Sequence, residues 1–221
     1  MYCETLSAQP GVYPVELFNT VSNGVIVLFG LLGFYTVYRR SPRAYDLYVL
    51  SAFLVLTGVG SGLWHGLRDP FALRYEVLSG LIFLFALIFF WARRLWTYLG
   101  AALFIGVFYL GFSYSREYWG IAQRWVAIAP IVILAAAALI VQTYMHSRNA
   151  ALGGGISLSL AIIALTFRTV DLSVCSYIPM GTHFLWHSFL SCAGFVGLYT
   201  LTGLEAVKWG RRRGALPNPA E

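Results

Sequence analysis

Apolar residues fall in seven long blocks along this chain, and polar or charged residues are confined to the short gaps between them. The blocks run from about Leu17 to Tyr38, Leu47 to Leu67, Tyr75 to Ala92, Tyr98 to Phe112, Trp125 to Met145, Ala151 to Phe167 and Thr182 to Leu204. Each approaches the roughly 20 apolar residues that a helix needs to cross the hydrocarbon core of a bilayer. The pattern predicts an all-α integral membrane protein, a seven-transmembrane helix bundle. Gly153 to Gly155 disfavour helix and blur the start of the sixth block.

Composition reinforces this. The chain has 221 residues, 59% hydrophobic and 11% charged, with mean hydropathy +0.71. A soluble domain carries about 25% charged residues. Seven spans consume almost the whole chain, so residues 1–221 are expected to form one domain, with an outer N-terminal segment (1–16) and a basic tail (205–221). The first 15 residues are polar and acidic and lack the basic start of a secretory signal, so the first span is expected to persist in the mature protein.

Charge sets the expected orientation. The formal net charge is +6, and every basic residue except Lys208 is arginine. The arginines flank spans and form no stripe suited to nucleic acid. The gaps after the first, third and fifth blocks, with the tail, hold ten basic residues (Arg39, Arg40, Arg43, Arg93, Arg94, Arg148, Lys208, Arg211, Arg212, Arg213). The other side holds five (Arg68, Arg74, Arg116, Arg124, Arg168). Basic loops stay in the cytosol, which predicts an outer N-terminus and a cytosolic C-terminus. Six of the nine acids (Glu4, Glu16, Asp69, Glu76, Glu117, Asp171) then lie outside. Short loops and abundant arginine favour a bacterial inner membrane, with a eukaryotic endomembrane as the alternative.

Three of the four histidines converge in that topology. His183 and His187 are four residues apart, which puts both imidazoles on one helix face. His65 ends the second span, at the same outer depth. Three histidines and an open position form a common catalytic zinc arrangement; the plainer reading is hydrogen bonding between helices. His146 lies in an inner gap and reads as a solvated loop residue. Ser61 sits one turn from His65, where it serves either as a hydrogen-bond donor at the site or, with Gly58, Gly60 and Gly62, as a small residue for close packing. Glu76 opens the third span near His65 and is a candidate for proton transfer. Asp171 is a second candidate carboxylate, or a partner for the outer nitrogen of a ligand histidine.

Taken together, Cys3-Glu4, the run Phe18-Asn19-Thr20-Val21-Ser22-Asn23, Gly60-Ser61 with His65, Asp171 with Cys175, and His183-Phe-Leu-Trp-His187 resemble the alkaline ceramidases. That family belongs with the adiponectin receptors and a group of lipid-remodelling membrane proteins. The motifs cover both ends of the chain, while the fourth to sixth spans match only as hydrophobic helices. The resemblance implies a zinc-dependent hydrolase that cleaves ceramide at its amide. His65, His183 and His187 would hold Zn2+, with Ser61 beside it and Glu76 where the family has an aspartate. It further implies Ca2+ held by Glu4 and Glu16, although Met1 and Leu6 stand where two further ligands are expected. Cys3 and Cys175 both fall on the outer side, where they pair as a disulfide if that side is oxidising or stay two free thiols; the resemblance supports the pairing. Cys192 reads as a small buried residue.

The substrate partner expected from these residues is a ceramide-like membrane lipid. An ester-cleaving lipid-remodelling hydrolase would use the same residues. So would a seven-helix receptor or binding protein with a structural zinc. A transporter would show repeated halves and broken helices, and neither is evident.

Overall fold

Short polar gaps cut the apolar chain into rods, and specific side chains fix where each rod begins. A computed structural model describes residues 2–9, 11–118 and 124–212. Among them are eight α-helices: α1 (Cys3–Leu6), α2 (Leu17–Arg40), α3 (Tyr45–Leu67), α4 (Pro70–Leu95), α5 (Tyr98–Tyr118), α6 (Arg124–Tyr144), α7 (Arg148–Val170) and α8 (His183–Arg212). A single 3-10 turn follows α7 at Asp171–Ser173. No strand occurs among the described residues.

Several boundaries differ from the expected ones for local reasons. Asp69 accepts hydrogen bonds from the backbone N–H groups of Phe71 and Ala72, and Pro70 takes the first helical position. An acidic cap followed by proline is a strong helix start, so α4 begins five residues before Tyr75. Glu76 therefore sits within the helix rather than at its opening. Ser147 likewise accepts from Ala150 N and starts α7 at Arg148, which carries Gly153 to Gly155 into the helix interior. Helix α5 continues to Tyr118, so Arg116 and Glu117 are helical and not in a loop. Helix α8 runs on to Arg212, beyond the expected end at Leu204. Met1, Arg213 and Glu221 lie outside the described residues.

Six of these helices, α2, α3, α4, α5, α7 and α8, are long and apolar enough to cross a membrane. Helix α6 is apolar over the shorter stretch Ile128–Tyr144. Large apolar side chains such as Leu28, Leu31, Leu103, Val107 and Leu110 remain exposed on the rods. Such faces suit hydrocarbon, in which only a helix or closed barrel can satisfy its own backbone. The protein is a multi-pass integral membrane protein, all-α among the described residues.

Packing divides the interior into two ends. At one, an apolar cluster joins Leu47, Leu50, Ile88, Trp91, Leu139 and Leu198. Arg94 closes that end, pairing with Asp46 of α3 and Glu205 of α8. At the other, where α2 begins, α3 ends and α8 begins, the interior is polar: Asn19, Asn23, His65, His183 and His187 are all buried. Close approach of α3 to its neighbours makes this possible. A side chain at Gly58 would come within 2.9 Å of the Val27 backbone nitrogen, and one at Gly60 within 2.6 Å of the Tyr75 ring. The packing reading of these two glycines holds; Gly62, by contrast, has room for a side chain at ordinary contact distance.

Candidate metal centre

His65 occupies the last turn of α3, His183 begins α8 and His187 lies one turn further along it. Ring centroids are 5.1 Å apart for His65 and His183, 4.8 Å for His65 and His187, and 4.6 Å for His183 and His187. One nitrogen from each ring falls within 4.8 Å of the others. The residues are 0%, 1% and 2% exposed, respectively.

Hydrogen bonds at the outer edges of two rings fix their tautomers. The Nδ1–H of His65 donates to the Glu16 carboxylate. Ser22 Oγ donates to the Asn19 carbonyl at 2.9 Å, so it accepts from His187 Nδ1–H at 2.8 Å. In both rings this leaves Nε2 as a bare lone pair. Both Nε2 atoms are buried without a hydrogen-bond partner. Buried polar atoms are rarely left unsatisfied, and such outer-shell partners are how metal-binding histidines are oriented. The orphaned lone pairs therefore fit a metal ion, and three neutral imidazoles are a donor set suited to a divalent transition metal.

His183 is held differently. Tyr2 stacks on its ring with centroids 3.8 Å apart. The Arg168 guanidinium lies 3.3 Å from Nδ1 and 3.5 Å from Nε2, and reaches the Tyr2 hydroxyl at 3.4 Å. Burial pushes the Tyr2 phenol above its ordinary pKa. This tyrosine carries a large apolar face onto the centre from the N-terminal segment.

Beside the triad, Ser61 Oγ donates to Glu76 Oε1 at 2.9 Å, and the same oxygen stands 3.9 Å from His65 Nε2. The structure thus brings Ser61 and Glu76 to the three histidines. It does not bring Asp171 to a ring. Asp171 is buried, and its Oδ1 accepts from the backbone N–H groups of Thr182 (2.7 Å) and His183 (3.0 Å). Its Oδ2 accepts from Cys3 N at 3.1 Å. The first N–H groups of a helix lack partners within it, and Asp171 supplies one at the start of α8. It holds a ligand residue by its backbone and leaves the imidazole alone, so neither a proton-shuttle contact nor a ring contact is observed.

Glu4 and Glu16, the two residues the resemblance implies for calcium, both make hydrogen bonds within the protein. Glu4 accepts from Phe18 N (2.7 Å) and Asn19 N (2.9 Å), capping α2. Glu16 accepts from Thr5, His65 and Asn19 and pairs with Arg68. Burial alone would raise the Glu16 carboxyl, but the hydrogen bonds from His65, Thr5 and Asn19 hold it below its usual range. Both carboxylates accept from protein donors, and among the described residues neither joins a group of three or more metal-binding side chains like that of the histidines. Cys3 and Cys175 form a disulfide, and Cys192 is a free thiol within α8. His146 Nδ1–H donates to the Gln142 carbonyl (2.9 Å), and the residue is not part of the histidine group.

Asp171, expected either as a second proton-transfer carboxylate or at the outer nitrogen of a ligand histidine, takes neither place, and the sequence did not point to Glu16, Ser22 or Tyr2 in theirs. Only Glu16 carried a signal, an acid at the start of the first span and at the depth of the triad.

Comparison with protein-family models and with curated proteins finds no match for the chain. Fold and site define the class on their own: a multi-pass helical membrane protein with a buried three-histidine centre at one end of the bundle.

Proposed function

We propose that this protein is a zinc-dependent intramembrane amidase, cleaving ceramide or a similar N-acyl sphingolipid to a sphingoid base and a fatty acid. One observation carries the reading: two orphaned imidazole nitrogens and a third histidine are gathered in a buried space beside a serine–glutamate pair. Resemblance to the alkaline ceramidases supports the choice of amide and of lipid.

His65, His183 and His187 would hold a zinc ion, which would supply Lewis acidity and make water a stronger acid. The chain's own groups divide the remaining work. As water adds to the amide carbonyl carbon, Glu76 takes its proton. When the carbon–nitrogen bond breaks, Glu76 returns that proton to the departing amine, so the carboxylate ends as it began. Ser61, which donates to Glu76 at rest, turns its hydroxyl to the oxygen that gains charge. Tyr2 and the surrounding helices limit water to what the reaction consumes.

We read α6 as the seventh span, which places the termini on opposite faces. With the arginine-rich end cytosolic, the centre lies toward the outer face of a bacterial inner membrane. Lipid then enters sideways between helices.

The test is fatty-acid release from a purified N-acyl sphingosine by purified zinc-loaded protein in detergent, beside a His183→Ala/His187→Ala variant. Release by the wild type alone supports the reading. Release from an ester-linked lipid but not from the amide moves it to the lipid-remodelling chemistry. Release from neither by a zinc-loaded wild type removes the hydrolase reading and favours a binding protein.

A further inference from the structure

Glu16 is a fully buried carboxylate that touches a metal-ligand histidine, and the residue that balances it comes from the ligand's own helix. Arg68 ends α3 three residues after His65, in the left-handed backbone region at φ 56°. That turn brings the side chain back over the site. The guanidinium lies 4.1 Å from the Trp64 ring centroid and 5.4 Å from that of Tyr2. Its Nη1 stands 3.2 Å from Glu16 Oε1, an ion pair in which Glu16 is 0% and Arg68 18% exposed at the side chain. Nη2 reaches Thr5 Oγ1 at 3.5 Å, and Thr5 in turn donates to Glu16. The other Glu16 oxygen takes His65 Nδ1–H, with Asn19 Nδ2 at 3.1 Å. Backbone contacts reinforce the alignment: Val15 N donates to the Gly66 carbonyl at 3.0 Å and Glu16 N to the His65 carbonyl at 3.1 Å.

We infer that Arg68 is a positioning residue for the metal centre, a resident cation that acts through Glu16 to fix the His65 ring, so that the centre assembles without a second metal ion. A buried carboxylate needs a positive partner and its hydrogen bonds filled. Here one oxygen faces the guanidinium and the other the imidazole, so the carboxylate plane is set from both sides. The arginine is pre-organised by its stacking on Trp64 and by its fixed charge. The inference rests on the histidine triad binding a metal, and not on the reaction that follows.

The test is metal affinity of the full chain in detergent, measured for zinc by chelator competition and followed for cobalt(II) by its visible absorption. Outer-shell changes in metal sites typically weaken binding by about 10–100-fold. Arg68→Met is expected to weaken zinc binding by at least about tenfold and to alter the cobalt spectrum, and Arg68→Lys, which keeps the charge but not the stacked plane, to recover part of both. Thermal unfolding of the metal-free proteins separates a general loss of stability from loss at the site. Millimolar calcium chloride is expected to leave wild-type zinc affinity unchanged. Unchanged zinc affinity and cobalt spectrum in Arg68→Met would overturn the inference, as would a wild type whose zinc affinity rises with calcium. A wild type that binds zinc but releases no fatty acid sinks the hydrolase alone; one that binds neither zinc nor cobalt overturns both.

Discussion

The hydroxyl of Ser61 and the carboxylate of Glu76 meet across the α3–α4 interface at 2.9 Å, and the shared oxygen lies 3.9 Å from His65 Nε2. Serine donates here, so the pair is poised with an acceptor oxygen already turned toward the centre. A proton-transfer group typically contributes about 10²–10⁴-fold to rate. Glu76→Gln should therefore lower kcat for amide hydrolysis by about 10²-fold or more while zinc content stays at the wild-type level. Ser61→Ala should cost about tenfold to 10³-fold. Turnover and elemental analysis on the same samples check this. Full activity in Glu76→Gln would remove Glu76 from the chemistry.

Two unpartnered imidazole nitrogens in a dry interior are costly without a metal, which predicts that the ion stabilises the fold. A ligand that binds only the folded state adds about 2.7 kcal/mol at a hundredfold excess over Kd. Removing the metal by exhaustive chelation should lower the unfolding temperature, and added zinc should restore it. The His183→Ala/His187→Ala variant should show no response to zinc. An identical melting curve with and without zinc in a wild type shown to be metal-free would argue for plain interhelical hydrogen bonding.

The rods and the triad were legible because both rest on local patterns. Blocks of apolar residues near span length announce membrane helices whatever their neighbours, and a four-residue histidine spacing announces a shared face. Boundaries were less legible. Asp69-Pro70 reads as a loop until its cap is seen to open α4, and that cap moves Glu76 from the helix start into its second turn. The partners of the ligand rings were least legible. Asp171 and Glu16 are both acids at the same depth; only folding decides that one faces backbone N–H groups and the other an imidazole. Ser22 carries no charge or spacing that marks it, and its role follows solely from where α2 meets α8.

The disulfide should act on the site as well as on stability. Cys3 is joined to Cys175 and its backbone N–H is held by Asp171, so Tyr2 next to it is fixed against His183. Loss of a native disulfide commonly costs about 2–5 kcal/mol. Cys3→Ser and Cys175→Ser should each lower the unfolding temperature and expose residues 2–9 to proteolysis, with the helices after α1 intact. Limited digestion followed by mass spectrometry reads the cleavage. Protection of the N-terminal segment in both variants would show that Asp171 and Glu4 suffice to hold it.

At the end of the bundle remote from the triad, Arg94 of α4 makes a paired contact with Asp46 of α3, with Nη1 2.8 Å from one oxygen and Nη2 3.2 Å from the other. Its Nε lies 3.4 Å from Glu205 of α8, and Nη1 also donates to the Phe90 carbonyl at 2.9 Å. Three helices thus converge on one guanidinium that is 2% exposed at the side chain. Removing the guanidinium leaves two carboxylates uncompensated, and because Asp46 and Glu205 are 28% and 27% exposed at the side chain the cost falls below the about 3–5 kcal/mol of a fully buried pair. Lysine cannot reproduce the planar two-point contact, so Arg94→Lys should fall between wild type and Arg94→Met in unfolding temperature. Replacing both members of the main pair, Arg94→Met with Asp46→Leu, should recover part of the loss, because no carboxylate of α3 is then stranded. Zinc affinity should stay at the wild-type value in all three variants, since the triad is held by α2, the far end of α3 and the start of α8. Thermal unfolding and chelator competition on the same preparations separate the two effects. A fall in zinc affinity that tracks the fall in stability would mean that the two ends of the bundle are coupled, and that Arg94 sets the geometry of the histidines as well as the closure of its own end.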